Sequence, residues 1–236
     1  MIKLMNIDNP IECEVIARVN RFVVEVRVGG ETLRTSINNT GRLEQFLVQG
    51  KQAYCIRHKK PQKTEVRLFA IADGESAAII DTQMQMRCFE EALEKGSIPW
   101  LDRGRVLRRN ARLGDSLIDY LLEINGEMLY LEVKSAVLRE GGYAMYPDCP
   151  TARGRKHVKG LTSYVQGGGR AIILFIAALP GVNRFKPYPQ GDPDLTAMLI
   201  EASKTGVDAR AIGMFYQPED SAIALFNPDM RVDLTF

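Results

Sequence analysis

Three residues near the middle of the chain carry the most chemistry for their spacing: Asp119, Glu132 and Lys134, in the pattern Asp-x12-Glu-Val-Lys. They sit in or beside two apolar runs, 116–123 and 128–133, where a buried strand does not ordinarily hold a charge. Asn125-Gly126 lies between the runs and is a strong signal for a two-residue hairpin turn. On a strand, Glu132 and Lys134 point to one face and Val133 to the other. A hairpin turning at 125–126 brings Asp119 toward both, so two carboxylates and an ammonium converge on a sheet.

Hard oxygen ligands of this kind suit Mg²⁺ or Mn²⁺, which keep most of their waters and need only one or two protein carboxylates. Asp119 and Glu132 are the expected metal ligands. Lys134 would orient the attacking water, and the site would hydrolyse a phosphodiester. A helix ahead of the hairpin offers a further carboxylate, Glu90 or Glu91, with Glu91 the expected fourth catalytic residue. The plainer alternative is a structural hairpin, with Lys134 paired to either carboxylate and Glu90 and Glu91 on a solvated face.

The elements that must position these residues follow from periodicity. Residues 11–19, 22–28, 31–37, 51–57, 64–72 and 76–80 read as short strands, and 42–48 as one or two helical turns. That content suits a small closed β-barrel of the oligonucleotide/oligosaccharide-binding type over residues 1–82. Residues 82–95 have helical spacing, with Met86, Phe89 and Leu93 on one stripe and Gly96 as a stop. After the hairpin, Thr151 is a candidate cap for a helix to about Gln166, and 171–178 is an apolar strand buried on both faces. A helix over 192–205 and a strand over 209–216 follow. The order implies a mixed α/β (α+β) sheet flanked by helices over residues 83–236, with a parallel β-α-β crossover after the hairpin.

The chain has 236 residues, 45% hydrophobic and 25% charged, the composition of a globular protein with ample core. Its net charge of +2 gives no overall pull toward nucleic acid, so only local clusters could support such binding. Three clusters exist. Arg57, Lys59 and Lys60 belong to a basic loop, with Arg21 near another strand end; Arg105 and Arg109 stand in an arginine-rich run before the hairpin. Arg153, Arg155, Lys156 and His157 fall in the first turns of the second long helix, where cations oppose the helix dipole and call for an anionic partner. Ion pairs with neighbouring glutamates are the alternative for the arginines. Four scattered cysteines without metal spacing point to free thiols, and the N-terminus lacks the apolar core of a signal peptide. The expectation is a cytoplasmic protein with no membrane span. A homodimer is compatible with these features and is not dictated by them.

The order of elements with Asp-x12-Glu-x-Lys on adjacent strands resembles the restriction-endonuclease-like PD-(D/E)xK architecture. Further segments extend the resemblance: Val19-Asn20-Arg21-Phe22, Asn39-Thr40-Gly41, Glu90-Glu91-Ala92-Leu93, Leu131-Glu132-Val133-Lys134-Ser135, Tyr146-Pro147-Asp148, and Thr151-Ala152-Arg153-Gly154-Arg155-Lys156-His157. With them the chain is similar to the sugar fermentation stimulation protein family over nearly its whole length. The resemblance implies an OB-like barrel joined to a nuclease-like domain, DNA binding, and a link to the regulation of sugar metabolism. Double-stranded DNA, contacted largely without sequence specificity, is the favoured partner. The chain departs from the family pattern at Leu117, where an arginine is usual, and at Asn38, Asp81, Gln85 and Met86. Three functions therefore compete: a metal-dependent nuclease that binds DNA, a regulatory DNA binder without cleavage, and a barrel that binds a saccharide or protein beside a structural hairpin.

Overall fold

The computed structural model describes residues 1–58 and 63–234. The first strand, β1 (Ile2–Asn6), is followed by β2 (Ile11–Asn20), β3 (Val23–Val28) and β4 (Glu31–Ser36). After a looped segment come β5 (Gln52–Arg57), β6 (Val66–Asp73) and β7 (Ser76–Ile79). β2 pairs β3, β3 pairs β4, β4 runs parallel to β6, β6 pairs β5, and β5 returns to β2. Five strands thus close a barrel. Its buried residues include Val15, Val24, Val26, Ala53, Cys55 and Leu68, at alternate positions of their strands, while Tyr54, Phe69 and Ile71 bury the other face of β5 and β6.

Residues 42–48 form turns rather than the expected helical turns. Leu43 takes a left-handed backbone, φ +55°, and its N–H bonds to the Asp148 carboxylate at 2.9 Å instead of entering a helix. Leu43 and Phe46 are buried, so tertiary contact overrides the local preference.

The helix α1 (Thr82–Glu94) is capped by Asp81, whose carboxylate accepts the Met84 N–H at 2.9 Å. It buries Met84, Gln85, Cys88, Phe89, Ala92 and Leu93. Next come β8 (Arg105–Leu113), β9 (Ser116–Ile124) and β10 (Glu127–Ser135), with Asn125 and Gly126 at φ +53° and +86° making the expected turn. Two short strands, β11 (Leu138–Glu140) and β12 (Tyr143–Tyr146), precede α2 (Ala152–Gln166) and β13 (Ala171–Ala177). The chain continues through β14 (Arg184–Pro187), α3 (Pro193–Thr205), β15 (Asp208–Gln217) and β16 (Ala222–Val232).

The strand order of the main sheet is β8-β9-β10-β13-β15-β16-β1. β10, β13 and β15 are mutually parallel, with α2 and α3 as crossovers, and every residue of β13 is buried. The fold is α+β, a five-stranded barrel beside a mixed sheet with few helices. β1 lies ahead of the barrel in sequence but pairs with β16 at the far edge of the main sheet. β7 meets β15 at Ala77 and Tyr216, so barrel and sheet are continuous.

Candidate metal and nucleic-acid site

The hairpin does what its spacing predicts, with one local departure. β9 and β10 pair in register from Ile124 and Glu127 to Tyr120 and Leu131. Beyond that point side chains replace the ladder. The Val133 N–H donates to Asp119 Oδ2 at 2.8 Å, and the Asp119 N–H points to Glu132 Oε2 at 3.3 Å. Each strand's carboxylate is held by the other strand's backbone, and this reciprocity fixes the two acids side by side.

Lys134 completes the group: its Nζ donates to Glu132 Oε1 at 2.6 Å. His157, from the second turn of α2, bonds the same oxygen through Nδ1. Glu132 is 3% exposed and His157 4%. Burial opposes ionisation of Glu132, yet the Lys134 ammonium and the His157 bond outweigh it and hold its carboxyl below the usual range. Burial likewise works against the Lys134 charge, but Glu132 raises its pKa above the ordinary value, so it remains an ammonium. Burial and the neighbouring Glu132 charge push Asp119 up to about 6.

Asp119, Glu132 and Lys134 line a cleft of about 360 Å³ between barrel and sheet. The barrel contributes Asn38, Asn39, Thr40 and Gly41, while α1 contributes Thr82, Gln85 and Met86. The opposite wall is Tyr146-Pro147-Asp148 with Thr151 and Arg153. Gly41 is required here: a Cβ on it would sit 2.7 Å from both Asp148 oxygens. Arg18 holds this wall from behind, its guanidinium donating to the carbonyls of Asn20, Gly41, Arg42, Arg21 and Asn39 at 2.6–3.4 Å.

Among the described residues no group of three His, Cys, Asp or Glu side chains is gathered for a metal. The donor chemistry nevertheless fits a hard ion with few protein ligands. Asp119 uses only Oδ2 within the protein, and its carboxyl lines the cleft beside Glu132. Gln85 lines the same cleft, with a buried Oε1 that has no partner. Its Nε2 is fixed by the Ile79 carbonyl and Ser135 Oγ.

The remaining expected residues separate into groups. Glu91 does not line the cleft; it stands on α1 as a half-exposed partner of Lys95 at 3.8 Å, one turn away. Glu90 points elsewhere too, accepting from Nε and Nη2 of Arg109 and from the Tyr120 hydroxyl. The helical register that buries Cys88 and Phe89 turns both acids from the site. Arg105 and Arg109 are therefore paired, with Glu123 and Glu90. Arg155 pairs with buried Asp192, the cap of α3. His157 is a buried partner of Glu132 rather than a surface contact for a phosphate.

Arg21, Arg57, Arg153 and Lys156 are exposed; Arg57 lies 3.9 Å from Glu65, and Lys156 reaches the Asp115 carbonyl. Lys59 and Lys60 lie outside the described residues. Arg108 and Arg112 belong to the same arginine-rich run and are exposed. Their registers opposite Leu121 and Leu117 place them on the Asp119 face of the sheet, whereas Arg109, opposite Tyr120, lies on the other.

Residues 16–80 match the SfsA N-terminal OB domain, and residues 83–220 match the sugar fermentation stimulation protein RE domain. A sugar fermentation stimulation protein homolog of Pyrococcus furiosus is 46% identical over 212 residues, spanning 90% of this chain and 92% of that protein. One from Archaeoglobus fulgidus is 47% identical over 230 residues, spanning 98% and 99%. The solved structure of Pyrococcus furiosus SfsA in complex with Ca²⁺ superposes with a TM-score of 0.95 at 42% identity, covering 99% of this chain and 100% of that one. The chain belongs to the sugar fermentation stimulation protein family.

Proposed function

We propose that this protein binds DNA and carries a Mg²⁺- or Mn²⁺-dependent nuclease site at Asp119, Glu132 and Lys134. The observation that carries the reading is the reciprocal fixing of the two carboxylates, with an ammonium 2.6 Å from one of them, at the wall of a cleft. The Pyrococcus furiosus relative was solved in complex with Ca²⁺, a hard divalent ion, and Asp119 and Glu132 are the residues that would hold such an ion here. A divalent ion in such a site supplies Lewis-acid stabilisation of the charge that develops on a phosphoryl oxygen.

The chain's own groups have separate tasks. Lys134 stays protonated, so it orients the nucleophile and faces developing negative charge rather than abstracting a proton. In the metal-free protein burial and Glu132 disfavour the Asp119 carboxylate charge, so a bound cation would relieve it, and Asp119 would serve as a ligand rather than as a base. His157 holds Glu132 in place. Arg108, Arg112, Arg153 and Lys156 offer phosphate contacts, which would be salt-dependent and largely blind to sequence.

The test is cleavage of a labelled DNA panel with Mg²⁺, Mn²⁺ or chelator, comparing wild type with Glu132→Gln and Lys134→Met. These near-isosteric changes limit the damage of leaving one buried charge without its partner. Metal-dependent cutting that both variants lose is the expected result; no cutting by the wild type with either ion excludes the nuclease. A second reading, DNA binding without cleavage, has one observation of its own. Glu132 Oε1 is already engaged by Lys134 and His157, as in a structural ion-pair cluster. Binding that persists with no turnover selects it.

A further inference from the structure

The barrel presents an exposed aromatic side chain on a turn whose backbone is bonded next to the cleft wall. Phe22 is 55% exposed, and it is the one aromatic among the exposed large hydrophobics of the described residues. It stands at the β2–β3 turn, its N–H bonded to Asn20 Oδ1 at 2.8 Å. Its carbonyl accepts the Ile37 N–H at 2.9 Å, one residue before the Asn38–Gly41 segment that walls the cleft. Arg18 bonds the carbonyls of Arg21, on the turn, of Asn39 and Gly41, on the wall, and of Arg42 beside it, and so joins turn to wall. Arg21, next to Phe22 in sequence, and Arg42, beside the wall segment and 3.9 Å from Glu44, are both exposed.

The cleft itself limits what can enter. Glu132 is 3% exposed, and the volume of about 360 Å³ is that of a small-molecule pocket. A duplex is a rigid rod whose phosphates lie on its outside, whereas a single strand can bring one nucleotide at a time into such a space. An exposed aromatic with exposed arginines on the same and the adjoining segment is what a single strand uses, since each base has a face to stack and each phosphate a charge to meet.

We propose that the DNA bound here is single-stranded, with a base stacked on Phe22, phosphates beside Arg21 and Arg42, and the adjoining nucleotide in the carboxylate cleft. This rests on the nucleic-acid reading above and narrows it against the duplex favoured from sequence.

The test is fluorescence anisotropy in chelator, with a labelled oligothymidylate and a mixed-sequence duplex of equal length as probes. The single strand should bind the wild type more tightly. Phe22→Ala should weaken it about tenfold, from the loss of one stacked base, and leave the duplex unchanged. Phe22→Trp should restore it, which a mere defect in folding would not allow. Duplex binding as tight as single-strand binding overturns the inference and leaves the DNA reading standing. A single-strand preference indifferent to Phe22 overturns the platform. If neither probe binds, the DNA reading itself falls, and this inference with it.

Discussion

Leu117 lies two residues before Asp119 on β9, so it shares that residue's face, and it is 52% exposed. It pairs across the ladder with Arg112. The family resemblance implies an arginine at this place, and an exposed leucine beside the proposed phosphate contacts offers a phosphate nothing. Leu117→Arg should tighten DNA binding and steepen its salt dependence by about one counterion, measured as the slope of log affinity against log salt. An unchanged slope would place the bound DNA away from this face. Asp119 supports a second prediction. Its folded pKa of about 6 lies above the ordinary aspartate value, so the folded protein holds a proton that the unfolded chain has released between about pH 4 and 6. Stability of the metal-free protein therefore falls, on this group's account, as pH rises through that window. Asp119→Asn removes the burden and can still accept the Val133 N–H. In chelator at pH 7.5 it should stabilise the fold by about 1–3 kcal/mol in urea melts, with the gain vanishing near pH 4. The three principal residues are legible in sequence because charges interrupt apolar runs around an Asn-Gly turn. His157 looks like a phosphate contact in sequence because its neighbours Arg153, Arg155 and Lys156 are basic. Only the helical phase of α2 turns it inward to Glu132.

At the scale of elements, the departures from the family pattern at 38 and 81 prove to be one feature. Asn38 Nδ2 donates to Asp81 Oδ1 at 2.7 Å, while Asn38 Oδ1 accepts from the Thr82 N–H at 2.9 Å and the Thr82 hydroxyl at 3.2 Å. Arg67 Nε lies 2.6 Å from the other Asp81 oxygen as a charge pair, without hydrogen-bond alignment. The end of β4 is thereby bonded to the start of α1, where Asp81 is 1% exposed. Asn38→Ala should cost about 1–3 kcal/mol, since it removes a donor from the buried Asp81 carboxylate and leaves the half-buried Thr82 N–H and hydroxyl without their acceptor. In a double-mutant cycle with Thr82→Ala, the two losses should be non-additive by at least about 0.5 kcal/mol. Additive losses in urea melts would show that the bonds contribute nothing jointly. Elements with clean alternation or a capped apolar stripe are readable in sequence: the barrel strands, the hairpin, α1, α2, β13 and α3. β8 is hidden there because it is an edge, exposed at most positions and carrying four arginines. β16 is obscured by Asn227-Pro228 within it and by irregular register against β15.

For the molecule as a whole, the cleft exists only because barrel and sheet are clasped, and the clasp joins residues far apart in sequence. Asp148 accepts the Leu43 N–H across 105 positions. Arg139 reaches from β11 to Asp73 at the end of β6 with two bonds at 2.8 and 3.0 Å. Pairings of this kind leave no trace in local periodicity, so sequence could supply a barrel and a nuclease-like sheet but not the shared wall between them. The clasp can be tested without reference to activity. The Leu43 amide is bonded to a charged acceptor, an interaction that contributes about 1.5–3 kcal/mol when intact. Asp148→Asn keeps the volume and an acceptor oxygen while removing the charge; Asp148→Ala removes both. If this contact holds the barrel loop against the sheet, exchange of the Leu43 amide should accelerate about tenfold to a hundredfold in the alanine variant and less in the asparagine variant. The amides of Val24 and Val26, deep in the barrel, should keep their protection in both, because the five-stranded closure does not depend on Asp148. Equal exchange at Leu43 in all three proteins would mean that other contacts hold the wall. Acceleration throughout the barrel would mean that barrel and sheet are stable only together.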